Sequence, residues 1–348
     1  MSRGGLIGLL GLAAAAACRP SASNEQLRAW LDETHREDDA RRKKTVVSET
    51  ASWTLSVRGN VTGGESNYSW SNITAMAHTH LVTTNPGYTT DVNTQLDYRG
   101  VPIAEILDAS GAREVRGPGG SDLTIVAADG FVTTRPLADV RRFPVMLALE
   151  ENGVPLVKKT GGPLLEILPH TSHPESKVLY PEGGSFYVTH LIVGTEPLAL
   201  AIGGKTLHAR ELDALPEQAV EGKAGFRFRW PSGPAKIQGP RLSDVLRAAG
   251  VAVHSRDRVL VRRKARTETA EREVTSLSGA DVLACDILIG TRFGDARALI
   301  PAGMGGPAVL AFPASCKGAK PGAAWPMFVE SVEVVPADAG APSKSDGG

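Results

Sequence analysis

Aromatic side chains make up only 5% of this 348-residue chain, cysteines number three, and basic and acidic residues balance at 38 each. So few aromatics, beside 38 glycines and 23 prolines, argue against a helical bundle and for a loop-rich mixed or β fold. The zero net charge gives no electrostatic pull toward nucleic acid or an acidic partner. No apolar run reaches the ~18 residues that a membrane-crossing helix needs. Neither Cys-x-x-Cys nor Cys-x-x-Cys-His occurs, which removes support for thioredoxin chemistry and covalent haem. No Walker, Gly-x-Ser-x-Gly or dinucleotide motif stands in a supporting context. What is present suffices for a packed core, since 42% of residues are apolar and 22% charged. At roughly 100–200 residues per domain, the length corresponds to two domains.

The first residues read as an address. Arg3 precedes an apolar stretch from Leu6 to Ala17, too short to span a bilayer but of signal-peptide length. The stretch ends in Ala15-Ala16-Ala17-Cys18, which resembles the lipobox of bacterial lipoproteins. That resemblance implies a signal peptide over residues 1–17, cleavage before Cys18, a lipid on Cys18 and a membrane partner reached through it. Arg19 rather than Asp follows the cysteine, which points to the periplasmic side of the outer membrane. The other reading is an ordinary cleaved signal with an incidental Cys. Residues 18–50 are polar and read as a short helix or flexible tether, with Leu27, Trp30 and Leu31 at helical spacing. The run Arg41-Arg42-Lys43-Lys44 suits a solvated face or anionic lipid. Residues 337–348 have almost no core-forming side chains and are expected to be disordered.

Between these ends the chain repeats its landmarks at a spacing of about 140 residues. Tyr98-Arg-Gly100-Val-Pro102 and the helical stretch ending at Gly111 answer Ile237-Gln-Gly239-Pro240 and the stretch ending at Gly250. Ala138-Asp139-Val140 answers Ala280-Asp281-Val282, each before an apolar strand. Thr160-Gly161-Gly162-Pro163 through Pro169 answers Met304-Gly305-Gly306-Pro307 through Pro313. Each half closes on a strand, Phe186–Val193 and Trp325–Val335. These landmarks predict two tandem domains, 51–196 and 197–336.

The first half, from about Trp53 to Val193, resembles the oxidoreductase molybdopterin-binding domain, the sulfite-oxidase type of fold. The carriers are Tyr98-Arg-Gly-Val-Pro-Ile, Asp129-Gly130-Phe131, Asn152-Gly153-Val-Pro155-Leu156 and Gly161-Gly162-Pro163-Leu164. The second half is a divergent copy that keeps Gly239-Pro240 and Gly305-Gly306-Pro307 but has no Asp-Gly-aromatic triplet. The resemblance implies an α+β fold of mixed sheets with short helices, molybdopterin as cofactor, and a small-molecule or protein redox partner. In catalytic members a cysteine thiolate before the Gly-Val-Pro turn ligates molybdenum, a bond that no alkyl side chain supplies. Ala77 to Asp97 contains no Cys, and neither does Pro216 to Gln238. The molybdenum chemistry is therefore expected to be reduced or lost, or the cofactor absent.

Other chemistry is sparse. His78 and His80 share a face if their segment is a strand, and His170 and His173 follow the Gly-Gly-Pro strand. With Asp129, Gly161 and Gly162 they outline a candidate cofactor cleft, and converging imidazoles would bind zinc, copper or iron. Surface or hydrogen-bonded histidines are the alternative. Cys285 stands before the strand 286–290 and Cys316 after the strand 308–312, so an antiparallel pair would bring them together as a disulfide. Buried free thiols or a redox pair are the alternatives. Arg256 to Glu273 reads as a long exposed hairpin of both charge signs, not a nucleic-acid surface. Three functions follow: a redox-family envelope lipoprotein with diminished chemistry, a non-enzymatic binding or scaffold lipoprotein, and a His-based metal protein.

Overall fold

Alternation in Thr54-Leu-Ser-Val-Arg-Gly59 sends Leu55 and Val57 to one face, and both are fully buried in the first strand. The structure, a computed structural model, describes residues 44–85, 93–113, 121–181, 183–222, 233–264, 274–313, 315–316 and 325–337. The signal segment, Cys18, the tether to residue 43 with most of its basic run, and the tail from 338 lie outside the described residues. Thr45–Gly348 is one compact unit. Residues 44–50 are helical (α1), and Glu49 Oε2 accepts a hydrogen bond from Lys158 N at 2.8 Å.

The fold is α+β, with mixed sheets and short helices. The first half runs β1 (Thr54–Gly59), β2 (Glu65–Ser69), α2 (Trp70–Met76), β3 (Thr79–Thr84), β4 (Gln95–Pro102), α3 (Ile103–Ala109), β5 (Asp122–Ala127), β6 (Val132–Pro136), α4 (Leu137–Arg142), β7 (Met146–Glu151), β8 (Val154–Pro155), β9 (Leu165–Ile167), α5 (Pro174–Leu179) and β10 (Val188–Val193). The second half runs β11 (Ala199–Ile202), β12 (Lys205–His208), α6 (Ala209–Asp213), β13 (Glu217–Gly222), β14 (Ala235–Pro240), α7 (Leu242–Ala249), β15 (Arg258–Arg263), β16 (Val274–Ser278), α8 (Gly279–Ala284), β17 (Leu288–Gly290), β18 (Arg292–Phe293), β19 (Ala298–Leu299), β20 (Val309–Ala311) and β21 (Val329–Val335).

Each half has a five-stranded sheet of the same order, β2-β1-β10-β5-β6 and β12-β11-β21-β15-β16. In both, the last strand lies parallel to the first and antiparallel to the fifth of its half, as β1 with β10 and β5, and β11 with β21 and β15. The bulges also correspond: Thr189 is the unpaired residue of β10, and Glu330 that of β21. Beside them Ala128 N donates to Tyr187 O, and Lys264 N to Phe328 O. The glycine of each Gly-Val-Pro-type turn marks a close strand crossing. A Cβ on Gly100 would stand 2.1 Å from Leu147 O, and one on Gly239 2.1 Å from Ile289 O. Arg258–Arg263 is not an exposed arm: β15 is an inner strand with Val259 and Val261 fully buried, and β16 forms the edge. The apolar pull of those two valines, about 1.5–3 kcal/mol for each full burial, outweighs the exposure that their charged neighbours suggest. The tip of this hairpin, 265–273, lies outside the described residues.

The inner face of β1, β10 and β5 carries Leu55, Val57, Leu191 and Ile125 into the first core. The opposite face carries Val126 and Ile192 into a shared cluster with Ile237, Leu288, Val309, Trp325 and Met327 of the second half. On the corresponding outer face of the second half stand Arg262, Ser331 and Glu333, with Arg262 Nη2 bonding Glu333 Oε2 at 2.9 Å. At the junction Arg58 Nη1 meets Glu330 Oε1 at 2.9 Å, and Lys264 Nζ bonds both Glu196 Oε1 (2.9 Å) and Glu330 Oε1 (3.1 Å). His190 lies on the same face and is 5% exposed, with Nδ1 2.9 Å from Thr189 Oγ1. Burial, then the nearby Lys264 and Arg58 charges, hold His190 neutral far below its ordinary 6.5.

Two predictions follow from these buried charges. Arg135 and Glu166 form a buried ion pair, Nε to Oε1 at 3.0 Å, where the second half has Leu277 and Leu310 in its core. Glu166→Leu alone should cost about 3–5 kcal/mol in denaturant unfolding, and Arg135→Leu added to it should recover most of that. A double variant no more stable than the single one would contradict this. For His190, the unfolded chain takes up a proton below pH 6.5 that the folded chain refuses. Stability should therefore be whole above pH 6.5 and fall as pH drops, by up to about 1.4 kcal/mol per pH unit. His190→Gln should flatten the slope measured by urea unfolding between about pH 6.5 and 4.5, above the carboxylate range.

Candidate functional site

The Gly-Val-Pro strand β4 pairs with β3 and brings the first two histidines to the surface. His80 faces Arg99 across the ladder and holds Asp97 Oδ1 at 3.2 Å from Nδ1. His78 Nε2 lies 3.8 Å from Glu105 Oε2, and both imidazoles are more than half exposed. Arg99 clamps Glu150 through two hydrogen bonds, Nε to Oε2 at 2.7 Å and Nη2 to Oε1, and donates to Ala77 O. The Arg99 hydrogen bond holds the Glu150 carboxyl below its ordinary 4.5. The result is a solvated strip of alternating charge along β3, β4 and β7.

The other two histidines point elsewhere. His170 is buried, with Nδ1 3.0 Å from Ser176 Oγ of α5. His173 precedes α5, sets its ring edge-on to Phe143 at 5.5 Å, and has Nδ1 3.0 Å from Ser172 Oγ. The end of β3 does reach the 168–171 turn, but through threonines. Thr83 Oγ1 donates to Leu168 O at 3.1 Å, and Thr84 N to Thr171 Oγ1 at 3.2 Å. His78 and His80 thus stand on an exposed strand beside carboxylates, while His170 and His173 sit at α5 with hydroxyl partners of their own. Among the described residues, one group has three such donor side chains within 4.8 Å of one another, Asp281, Cys285 and Cys316. Its two sulfurs are bonded to each other, with Cα atoms 5.5 Å apart. The antiparallel pair β17–β20 brings those cysteines to one end, as the sequence predicts. A closure over a sequence separation of 31 stabilises by about 3–4 kcal/mol in the chain-entropy account.

The glycine-rich signatures turn out to shape the backbone. Asp129 Oδ1 caps the β5–β6 turn by accepting from Phe131 N at 2.9 Å. Asn152 and Gly153, both at positive φ, form the tight β7–β8 turn, and Asn152 Oδ1 accepts from Asp97 N. Gly161 has φ +85, and a Cβ there would stand 2.6 Å from the Phe186 ring. A Cβ on Gly162 would stand 2.7 Å from the Leu156 backbone. The space around both glycines is filled by this chain's own atoms, so the loop offers no phosphate cradle.

Sequence reasoning missed the polar network on the far side of this loop. Arg135 Nη2 donates to Gly183 O at 3.0 Å, Ser185 N donates to Glu166 Oε2 at 2.8 Å, and the Arg135 guanidinium lies 4.3 Å from the Tyr180 ring centre. Tyr180 donates to Asp139 Oδ2 at 2.5 Å, and burial together with that carboxylate raises its phenol well above 10. Glu166 inside Leu-Leu-Glu-Ile-Leu, opposite Val-Leu-Ala in the repeat, was the available signal. The donor set does not fit a molybdopterin centre. No free thiolate remains among the described residues, and the candidate imidazoles are solvated or turned inward.

The family profile described as the oxidoreductase molybdopterin binding domain matches residues 43–176. Among solved structures, the sulfane dehydrogenase SoxCD from Paracoccus pantotrophus is similar at 14% identity and a TM-score of 0.30, over 65% of this chain and 63% of that one. No curated protein matches. The matched segment runs from α1 to the start of α5 and contains the Tyr98-Arg-Gly-Val-Pro, Asp129-Gly130-Phe131, Asn152-Gly153-Val-Pro155 and Gly161-Gly162-Pro163 signatures of the first half.

Proposed function

We propose that this chain is an envelope lipoprotein, anchored through Cys18 on the periplasmic side of the outer membrane, that keeps the molybdopterin-binding fold without its molybdenum chemistry. One observation carries the loss. Cys285 and Cys316, the cysteines of the folded unit, are bonded to each other, so neither offers a thiolate to molybdenum. The segment Ala77 to Asp97, where the family places that ligand, has none. On this reading 51–196 and 197–336 are tandem copies of one domain, a view supported by their common strand order and corresponding bulges. What remains is a rigid platform for binding, facing the periplasm. An oxidising compartment also suits the disulfide.

Metal and pterin analysis of protein made in a cofactor-producing host tests the first point. Neither molybdenum nor pterin fluorescence should accompany the chain in stoichiometric amount, and one of each per chain would overturn the reading. Cell fractionation tests the anchor: Cys18→Ala should move the protein from the membrane to the soluble periplasmic fraction with its folded unit intact. A wild-type protein that is already soluble there would remove the lipid from the account.

A further inference from the structure

Asp281, Cys285 and Cys316 hold their ligand atoms within 4.8 Å of one another, a spacing that a single small ion can span. The chain builds this group from two directions. Asp281 lies in the first turn of α8 and Cys285 caps its end, four residues on, with Cys285 N donating to Asp281 O at 2.8 Å. Side chains at that spacing share a helix face. Cys316 arrives from beyond β20 on a turn closed by its own N–H on Pro313 O at 3.0 Å. The carboxylate is held from behind. Ser278 Oγ donates to Asp281 Oδ2 at 2.6 Å and accepts from Asp281 N at 3.0 Å. That contact engages one oxygen of a group with about four acceptor sites, and a hydroxyl in this place orients a carboxylate toward a metal. Asp281 and Cys285 are half-buried and Cys316 is 4% exposed, so an ion here would rest on the second core with one side open to water.

The fold does not require sulfur at the end of this helix. Asp139 and Phe143 have the same spacing at the end of α4, Phe143 N donates to Asp139 O at 2.8 Å, and there the carboxylate takes the Tyr180 hydroxyl. The second half keeps a carboxylate and sets two cysteine sulfurs beside it. Two thiolates and a carboxylate make a donor set that suits zinc and its softer relatives. We propose that, once the disulfide is opened, Asp281, Cys285 and Cys316 bind one zinc-like divalent ion, with water as the fourth ligand. Opening takes a dithiol reductant, which gives two electrons and two protons to the S–S bond and itself becomes a disulfide. The ion then displaces the two thiol protons and forms two metal–thiolate bonds. The oxidised pair closes the second half covalently, and the reduced pair closes it through metal. The site depends neither on the lipid anchor nor on whether molybdenum chemistry is lost.

Cadmium titration of the full chain carrying Cys18→Ala tests this, since 285 and 316 are then its only cysteines. A phosphine reduces the protein without adding a competing thiol, and the thiolate-to-cadmium charge-transfer band reports binding. The reduced chain should take up one cadmium, displaced by zinc and not by magnesium, and the oxidised chain should bind at least about a hundredfold more weakly. Asp281→Asn keeps an acceptor for Ser278 but loses the charge, and should weaken binding about tenfold or more. Zinc should raise the melting temperature of the reduced chain and leave that of the oxidised chain unchanged, because the folded state builds the site. No cadmium band on the reduced chain at about 10 μM metal would overturn the proposal. So would equal binding by the oxidised chain, or an affinity that Asp281→Asn or unfolding in urea leaves unchanged.

Discussion

Strand β10 is buried at all six positions, and the rest of the structure is arranged around that fact. A strand with apolar partners on both faces cannot sit at a surface, so it must be the middle of a three-layer packing. One face takes the first half's own core, the other the second half's inner strands. This explains why the two halves form one compact unit and do not hang as separate beads. It also explains the charges at their junction. His190, Arg58 and Lys264 sit where the two cores nearly meet, in surroundings that leave little water to share.

The five-stranded sheets of the two halves have the same strand order, which allows their interiors to be compared. At one equivalent place the first half holds Arg135 against Glu166 and the second holds two leucines. After the helices α4 and α8, Phe143 makes a ring contact with His173 in the first half, whereas Cys285 is bonded to Cys316 in the second. Backbone features vary far less. The close crossings at Gly100 and Gly239, the positive φ at Tyr187 and Phe328, and the bulges at Thr189 and Glu330 recur. Steric rules on the chain allow few substitutes, whereas a core accepts several fillings of the right volume.

That contrast decides what the sequence could reveal. Strand alternation, glycine turns and the cysteine pairing are local or pairwise, so the α+β fold, the matching landmarks and the disulfide were legible. That Ala77 to Asp97 holds no Cys is read directly, because a missing residue type needs no geometry. The histidines were not legible. Alternation predicts that His80 and Val82 share a side of β3, but not that this side meets solvent, as both do. The junction charges were least visible. Arg58 and Glu330 lie 272 residues apart, and a one-residue bulge turns Glu330 toward its partner.

Docking of the second half on the first joins two different faces, an inner strand layer and the back of a five-stranded sheet. A contact of this head-to-tail kind does not close on itself, and repeated it would build a fibre. The chain stops the series by changing the next face in line. Where the first half presents Val126, His190 and Ile192, the second presents Arg262, Ser331 and Glu333, with Arg262 and Glu333 ion-paired and partly exposed. Three side chains thus act as a terminus for an architecture that has no geometric end of its own.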